Sequence, residues 1–122
     1  MIDFQKFLTN FKIAASALKI AFRKEQSFRI QVLIGIIVII FMIILRTTSL
    51  EKAILTAAIL VVLSLELVNS QIEKILDLIQ PALHPKVKLI KDLSAGAVLV
   101  SVLGAIIIGI LIFSPYLLGF FK

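Results

Sequence analysis

Along the first two dozen positions, apolar residues return every three to four places. Phe4, Phe7, Leu8, Phe11, Ala15, Leu18 and Phe22 share one arc of roughly 100° on a helical wheel, and Lys6, Lys12, Lys19, Arg23 and Lys24 take the remaining surface. The spacing predicts an amphipathic helix over residues 3–24. Phenylalanines opposite lysines mark a helix lying in the interface of an anionic leaflet. A soluble helix packed on a partner shows the same pattern, but the long apolar runs downstream favour the membrane. From Phe28 the polar positions almost vanish, and "FRIQVLIGIIVIIFMIIL" predicts a first span over 28–45. "RTTSLEK" reads as a short polar turn, a second apolar run over 53–79 predicts the next span, and "QPALHPKVKLIK" breaks the pattern with two prolines. A third span is predicted over 92–113, with Pro115 near its end. The predicted fold class is all-α and integral to the membrane, one domain over 1–122: an N-terminal interfacial helix and three transmembrane helices.

Composition agrees with this class. Of 122 residues, 61% are hydrophobic, against about 45–50% in soluble domains, and the mean hydropathy is +1.14. Cysteine is absent, which excludes disulfides, thiolate metal sites and cysteine nucleophiles. The net charge of +6 has no soluble domain to sit on, so it points to membrane orientation and not to nucleic acid. Six of the basic residues fall within 1–29, and Lys86, Lys88 and Lys91 precede the third span, whereas the first turn holds only Arg46 and Lys52. The positive-inside rule therefore places the N-terminal helix and the 80–91 loop on the cytoplasmic side. No short apolar core with a small-residue cleavage site opens the chain, so no cleaved signal peptide is expected.

Two patterns inside the spans carry more than hydropathy. Ala97, Ser101, Ala105 and Gly109 recur every four residues, a spacing that lets helix backbones approach closely in lipid; three spans make a thin bundle with much exposed seam, and a homo-oligomer is expected for that reason. Within the second span, "ELVNSQIEKILD" puts Glu66, Asn69, Glu73 and Asp77 at spacings of 3, 4 and 4. On a helix these fall within roughly 80° of arc, a polar stripe about three turns long. A charge at the bilayer centre costs about 2.5–3.5 kcal/mol on insertion scales, so the stripe must face the bundle or the interface, or hold a cation. The thirteen residues from Ala53 to Leu65 give about 20 Å of helix, which puts Glu66 past the midplane and lets Glu73 and Asp77 emerge on the cytoplasmic side. An acidic helix end salt-bridged to Lys86, Lys88 or Lys91 is the simplest account of Asp77. It fits Glu66 poorly, because Glu66 lies deepest.

Glu25 lies where the surface helix meets the first span, and Lys91 and Asp92 open the third, so every element delivers charge to one membrane surface. Carboxylates for Mg²⁺, lysines for phosphate and a deep carboxylate as base are together the parts for phosphoryl transfer to a lipid hydroxyl. No GxxxxGK[ST] loop, HRD or DFG occurs, which excludes the familiar nucleotide folds. His84 is the sole histidine and reads as a loop residue rather than a metal ligand. A small proton-coupled transporter, or a purely structural membrane subunit, would also carry a membrane glutamate.

"ELVNSQIEKILDLI", the downstream "KDLSAGAVL" and the upstream "KEQSFR" together resemble the prokaryotic diacylglycerol kinase family, from about Phe4 to the third span. The resemblance implies a bacterial, multi-pass cytoplasmic-membrane enzyme: a homotrimer with active sites shared between subunits, moving the γ-phosphate of MgATP to a lipid alcohol at the cytoplasmic face. It implies Glu66 as catalytic base, Glu25 and Glu73 as carboxylates for Mg²⁺ and nucleotide, Lys91 and Asp92 as a nucleotide-contacting pair, and Asn69 and Asp77 as supporting polar residues. Lys6 corresponds to a family arginine near nucleotide and lipid. Ala17 stands where many members have glycine, Ser94-Ala95 replaces a Gly-Ser, and the prolines of "QPALHPKVKLIKD" resemble the undecaprenol kinase branch. The implied substrate is diacylglycerol or, alternatively, undecaprenol.

Overall fold

The structure, a computed structural model, describes residues 1–79 and 84–120. Four helices follow one another: α1 (Phe4–Lys24), α2 (Gln26–Ile44), α3 (Ser49–Ile79) and α4 (Pro85–Phe120). The last three are each long and apolar enough to cross a membrane. At 1.5 Å per residue the 19 residues of α2 measure about 28 Å, close to a hydrocarbon core of about 30 Å, whereas the 31 residues of α3 measure about 46 Å. A bilayer that accommodates α2 therefore leaves the last turns of α3 outside it.

α1 begins where Asp3 caps it, its carboxylate accepting from the Lys6 amide at 3.2 Å, and ends with Arg23 and Lys24 at the negative end of the helix dipole. None of its residues is buried. A single extended residue, Glu25, separates α1 from α2 and terminates both. Arg29 folds back across this elbow, donating to the carbonyls of Phe22 and Arg23 at 3.3 and 3.0 Å, acceptors that a helix end otherwise leaves without partners.

α2 and α4 both pack against α3, α4 the more extensively. The buried residues of α2 are Phe28, Gly35 and Met42, spaced by seven, which makes one seam. At Gly35 an added Cβ would lie 3.1 Å from Ile59, so the absence of a side chain is what lets α2 settle onto α3. The facing seam of α3 consists of Leu55, Val62, Glu66 and Asn69. The polar stripe thus continues the apolar packing seam. Phe41 of α2 meets Phe113 of α4 edge to face at 6.3 Å. A Cβ added at Gly109 would meet nothing within 4 Å, so close helix approach within one chain does not depend on this glycine.

Several boundaries differ from the sequence expectation. The second span starts at Ser49 instead of 53, because Thr48 and Glu51 form a reciprocal capping box, with Thr48 N–H to Glu51 at 2.9 Å and Glu51 N–H to Thr48 Oγ1 at 3.1 Å. α4, which carries the third predicted span, starts at Pro85 instead of 92. Proline is preorganised for a first helical position, and His84 caps the helix by accepting from the Lys86 amide at 3.1 Å. The predicted 80–91 loop is therefore helical from Pro85 onward, and its residues 80–83 lie outside the described residues. The same helix runs on through Pro115 to Phe120, since proline near a helix end forfeits only one backbone bond while the apolar side chains continue.

At the end of the bundle far from the elbow, the Tyr116 hydroxyl donates to Glu51, tying the last turns of α4 to the first turn of α3. Tyr116→Phe keeps the ring and removes this bond. It is expected to lower stability modestly, read as a lower thermal midpoint in detergent micelles; an unchanged midpoint would show that the contact holds nothing.

Candidate active site

The α3 seam changes chemistry at Glu66. Below it Leu55 and Val62 are buried apolar contacts; Glu66 and Asn69 keep only 7% and 8% of their surfaces exposed. Beyond them Glu73 and Asp77 are exposed. One helix face thus passes from buried apolar packing to exposed carboxylates within three turns.

A buried carboxylate needs hydrogen bonds. The donor that Glu66 has is Gln31 of α2, whose Nε2 lies 3.4 Å from Glu66 Oε2. Asn69 donates through Nδ2 to Glu73 at 3.3 Å, linking the buried part of the stripe to the exposed part. Two buried oxygens have no partner among the described residues, Gln31 Oε1 and Asn69 Oδ1. An unmatched buried acceptor costs about 1–3 kcal/mol, and two of them flanking one carboxylate mark a place built to receive something. Asn69 Oδ1, beside Glu73, is a hard oxygen of the kind Mg²⁺ takes alongside one or two carboxylates. Glu73 and this oxygen would serve two positions of such a shell, and among the described residues no three or more His, Cys, Asp or Glu side chains come together to hold a metal.

The other residues singled out in the sequence divide into two groups. Lys91 reaches back from α4 to Asp77 of α3 at 2.5 Å, the salt bridge that the simplest account of Asp77 required. Asp92 accepts from Lys88 at 2.8 Å on its own helix. Glu25 also comes to α3, but its partner is Lys74 at 2.7 Å. Lys74 is one residue past Glu73, about 100° further round the helix. Glu25, Lys24 and Lys74 line a cavity of about 210 Å³ between the end of α1 and α3, together with Ser70 and Gln71.

Sequence reasoning missed Gln31, Lys74 and Arg29. For Gln31 a signal was present: it is the sole polar side chain between Ile30 and Leu45. Gln31 also stands at one end of an apolar groove of about 510 Å³, walled by α2, α3 and α4 and reaching Phe113 and Leu117 at the other. A chain-like apolar molecule lying in that groove would meet Gln31, beside Glu66, at one end and Ser114 towards the other. His84 proves to be a helix cap, and Lys6 makes no side-chain hydrogen bond or ion pair among the described residues.

The family described as prokaryotic diacylglycerol kinase matches residues 12–113. The chain is 34% identical over 115 residues to the undecaprenol kinase of Bacillus subtilis, covering 94% of each protein. It is 33% identical over 113 residues to the diacylglycerol kinase of Synechocystis, covering 92% of this chain and 65% of that protein. Against the diacylglycerol kinase of Haemophilus influenzae the identity is 31% over 104 residues, 84% of this chain and 88% of that one. The match takes in the elbow, the whole of α2 and α3 and the opening of α4, the segments that bring Glu25, Gln31, Glu66, Asn69, Glu73 and Lys91 to one end of the bundle, and on that ground the chain belongs to the prokaryotic diacylglycerol kinase family of lipid kinases.

Proposed function

We propose that this protein transfers the γ-phosphate of MgATP to the hydroxyl of a membrane-embedded lipid alcohol, diacylglycerol in the first instance, to give phosphatidic acid. The observation that carries the reading is the placement of Glu66, buried on the α3 seam beside Gln31 at the end of an apolar groove and followed within two turns by exposed carboxylates and lysines. Undecaprenol is the second reading, favoured by near-complete overlap with the Bacillus subtilis enzyme.

The lipid hydroxyl approaches from the bilayer side and gives its proton to Glu66 as its oxygen bonds to the γ-phosphorus. The bond from that phosphorus to the β-phosphate breaks, and ADP leaves towards water. Glu25 and Glu73, with the free Asn69 oxygen, would hold Mg²⁺, which when bound neutralises phosphate oxygens. Lys91 and the neighbouring Lys86 and Lys88 draw in the polyphosphate, and Asp92 helps fix the nucleotide. Burial of Glu66 keeps water, the competing acceptor, away from the transfer. The side that receives nucleotide is the cytoplasmic one, in line with the lysines and arginines of α1 and the start of α4. α1 lies in that interface; Phe4, Phe7 and Phe11 are each about two thirds exposed along its apolar face and have lipid to enter. A homotrimer with sites shared between subunits belongs to the same proposal, supported by the broad apolar face of α4 that one chain leaves exposed from Leu99 to Leu111.

The direct test offers labelled MgATP and either diacylglycerol or undecaprenol to the purified protein in mixed micelles. Phosphorylated lipid from either names the substrate, and no product from a folded protein overturns the proposal. Glu66→Gln is expected to lower turnover by about 10²–10⁴-fold, the usual worth of a general base, with nucleotide binding retained; full turnover in this variant would remove Glu66 from its role. Lys91→Met is expected to raise KM for MgATP about tenfold, roughly 1.4 kcal/mol of binding, while leaving stability within about 1 kcal/mol, because the exposed Lys91–Asp77 bridge contributes little to folding. Steady-state kinetics beside thermal unfolding separate the two effects.

A further inference from the structure

We infer that Gln31 is a positioning residue for the phosphoryl transfer: it orients the Glu66 carboxylate at the mouth of the apolar groove, an inference that rests on the lipid kinase reading. Three independent features meet at this side chain. It is the sole polar residue in the α2 sequence from Ile30 onward. Its Nε2 is the donor within reach of Glu66, 3.4 Å from Oε2. It lines the groove, so it sits where an apolar ligand chain ends and the polar stripe begins.

The chemistry favours this role over a structural one. An ionised carboxylate is acceptor-only and an amide N–H is a fixed donor, so the pair has one sense. By engaging Oε2, Gln31 fixes the carboxylate's rotation. It leaves Oε1, which has no hydrogen bond among the described residues, available for the hydroxyl proton. Asn69, the other amide on the stripe, points its Nδ2 to Glu73 and makes no bond to Glu66 among the described residues. The separation of 3.4 Å is long for an N–H···O bond, as catalytic hydrogen bonds often are before substrate closes the site. The register that brings the two side chains level is set by the Phe28–Gly35–Met42 seam, with Gly35 pressed against Ile59. A glutamine serving structure alone would have both ends satisfied, whereas Gln31 Oε1 is buried with no partner.

The test uses the full-length protein in mixed micelles with three replacements. Gln31→Leu keeps apolar volume and removes the donor; Gln31→Glu keeps the shape and replaces the donor with an acceptor; Gln31→His restores a ring N–H at similar reach. Misorientation of a reacting group by about 1 Å costs up to about 100-fold. Gln31→Leu, assayed well below its own thermal midpoint, is therefore expected to lower kcat for lipid phosphorylation about 10- to 100-fold, with KM for MgATP within about twofold of wild type. Gln31→Glu should be at least as impaired, and Gln31→His should recover to within about fivefold of wild type. An active wild type matched by Gln31→Leu overturns this inference alone. So does a loss shared equally by all three variants, or one that tracks thermal stability, since each would point to packing instead of the donor. A folded wild type that phosphorylates neither lipid overturns the kinase reading, and this inference with it.

Discussion

A carboxylate cannot be left bare in hydrocarbon, and the architecture depends on where Glu66 is kept. A charge at bilayer depth costs about 2.5–3.5 kcal/mol on insertion scales, a sizeable share of the margin by which a small fold is stable. Three provisions meet that cost. The residue lies on the packing seam of α3 and not on a lipid face. Gln31 comes down from α2 to donate to it. And α3 is long enough to outlast the bilayer, so the polar stripe that starts at Glu66 ends in water at Asp77. Each provision depends on a feature elsewhere: the seam on Gly35, the donor on the register of α2, the projecting end of α3 on the capping box that fixes its start at Ser49.

The same constraint shapes the polar end of the molecule. Glu25 occupies the one extended residue between two helices, an elbow that Arg29 ties by donating to the Arg23 carbonyl, and its carboxylate pairs with Lys74 on α3. Lys91 binds Asp77, so α4 joins α3 at the surface where α1 also arrives. Basic residues thus already neutralise the acidic groups that the proposed reaction needs. These pairs are exposed enough to exchange partners at little cost when a polyphosphate and its cation enter.

Much of this was legible in the sequence, for identifiable reasons. The three apolar runs and the amphipathic first helix come from local periodicity, which needs no tertiary information. The alignment of Glu66, Asn69, Glu73 and Asp77 comes from helix geometry alone. The true start of α4 did not, because a turn carrying His84, Pro85 and three lysines looks like a loop until the capping histidine and the N-terminal proline are weighed together. The Glu25–Lys74 and Gln31–Glu66 pairs were out of reach for a different cause. Partners separated by 35 or more residues are decided by helix packing and register, and no spacing rule encodes them. Gln31 left one trace, its isolation in an apolar span, which gains meaning only once a buried partner is found opposite.

Because the chain has no cysteine, the gradient along α3 can be measured directly by introducing single cysteines at Val62, Asn69, Glu73 and Asp77 and probing sealed vesicles with a membrane-impermeant thiol reagent. The account predicts labelling at 73 and 77 from one side only, the side from which a cysteine at Lys91 is also reached, with Val62 closed from both sides and position 69 shielded by added MgATP. Labelling at Val62, or labelling of Asn69 from the opposite side, would mean a water path through the midplane. It would contradict a one-sided phosphoryl-transfer site and favour a transporter.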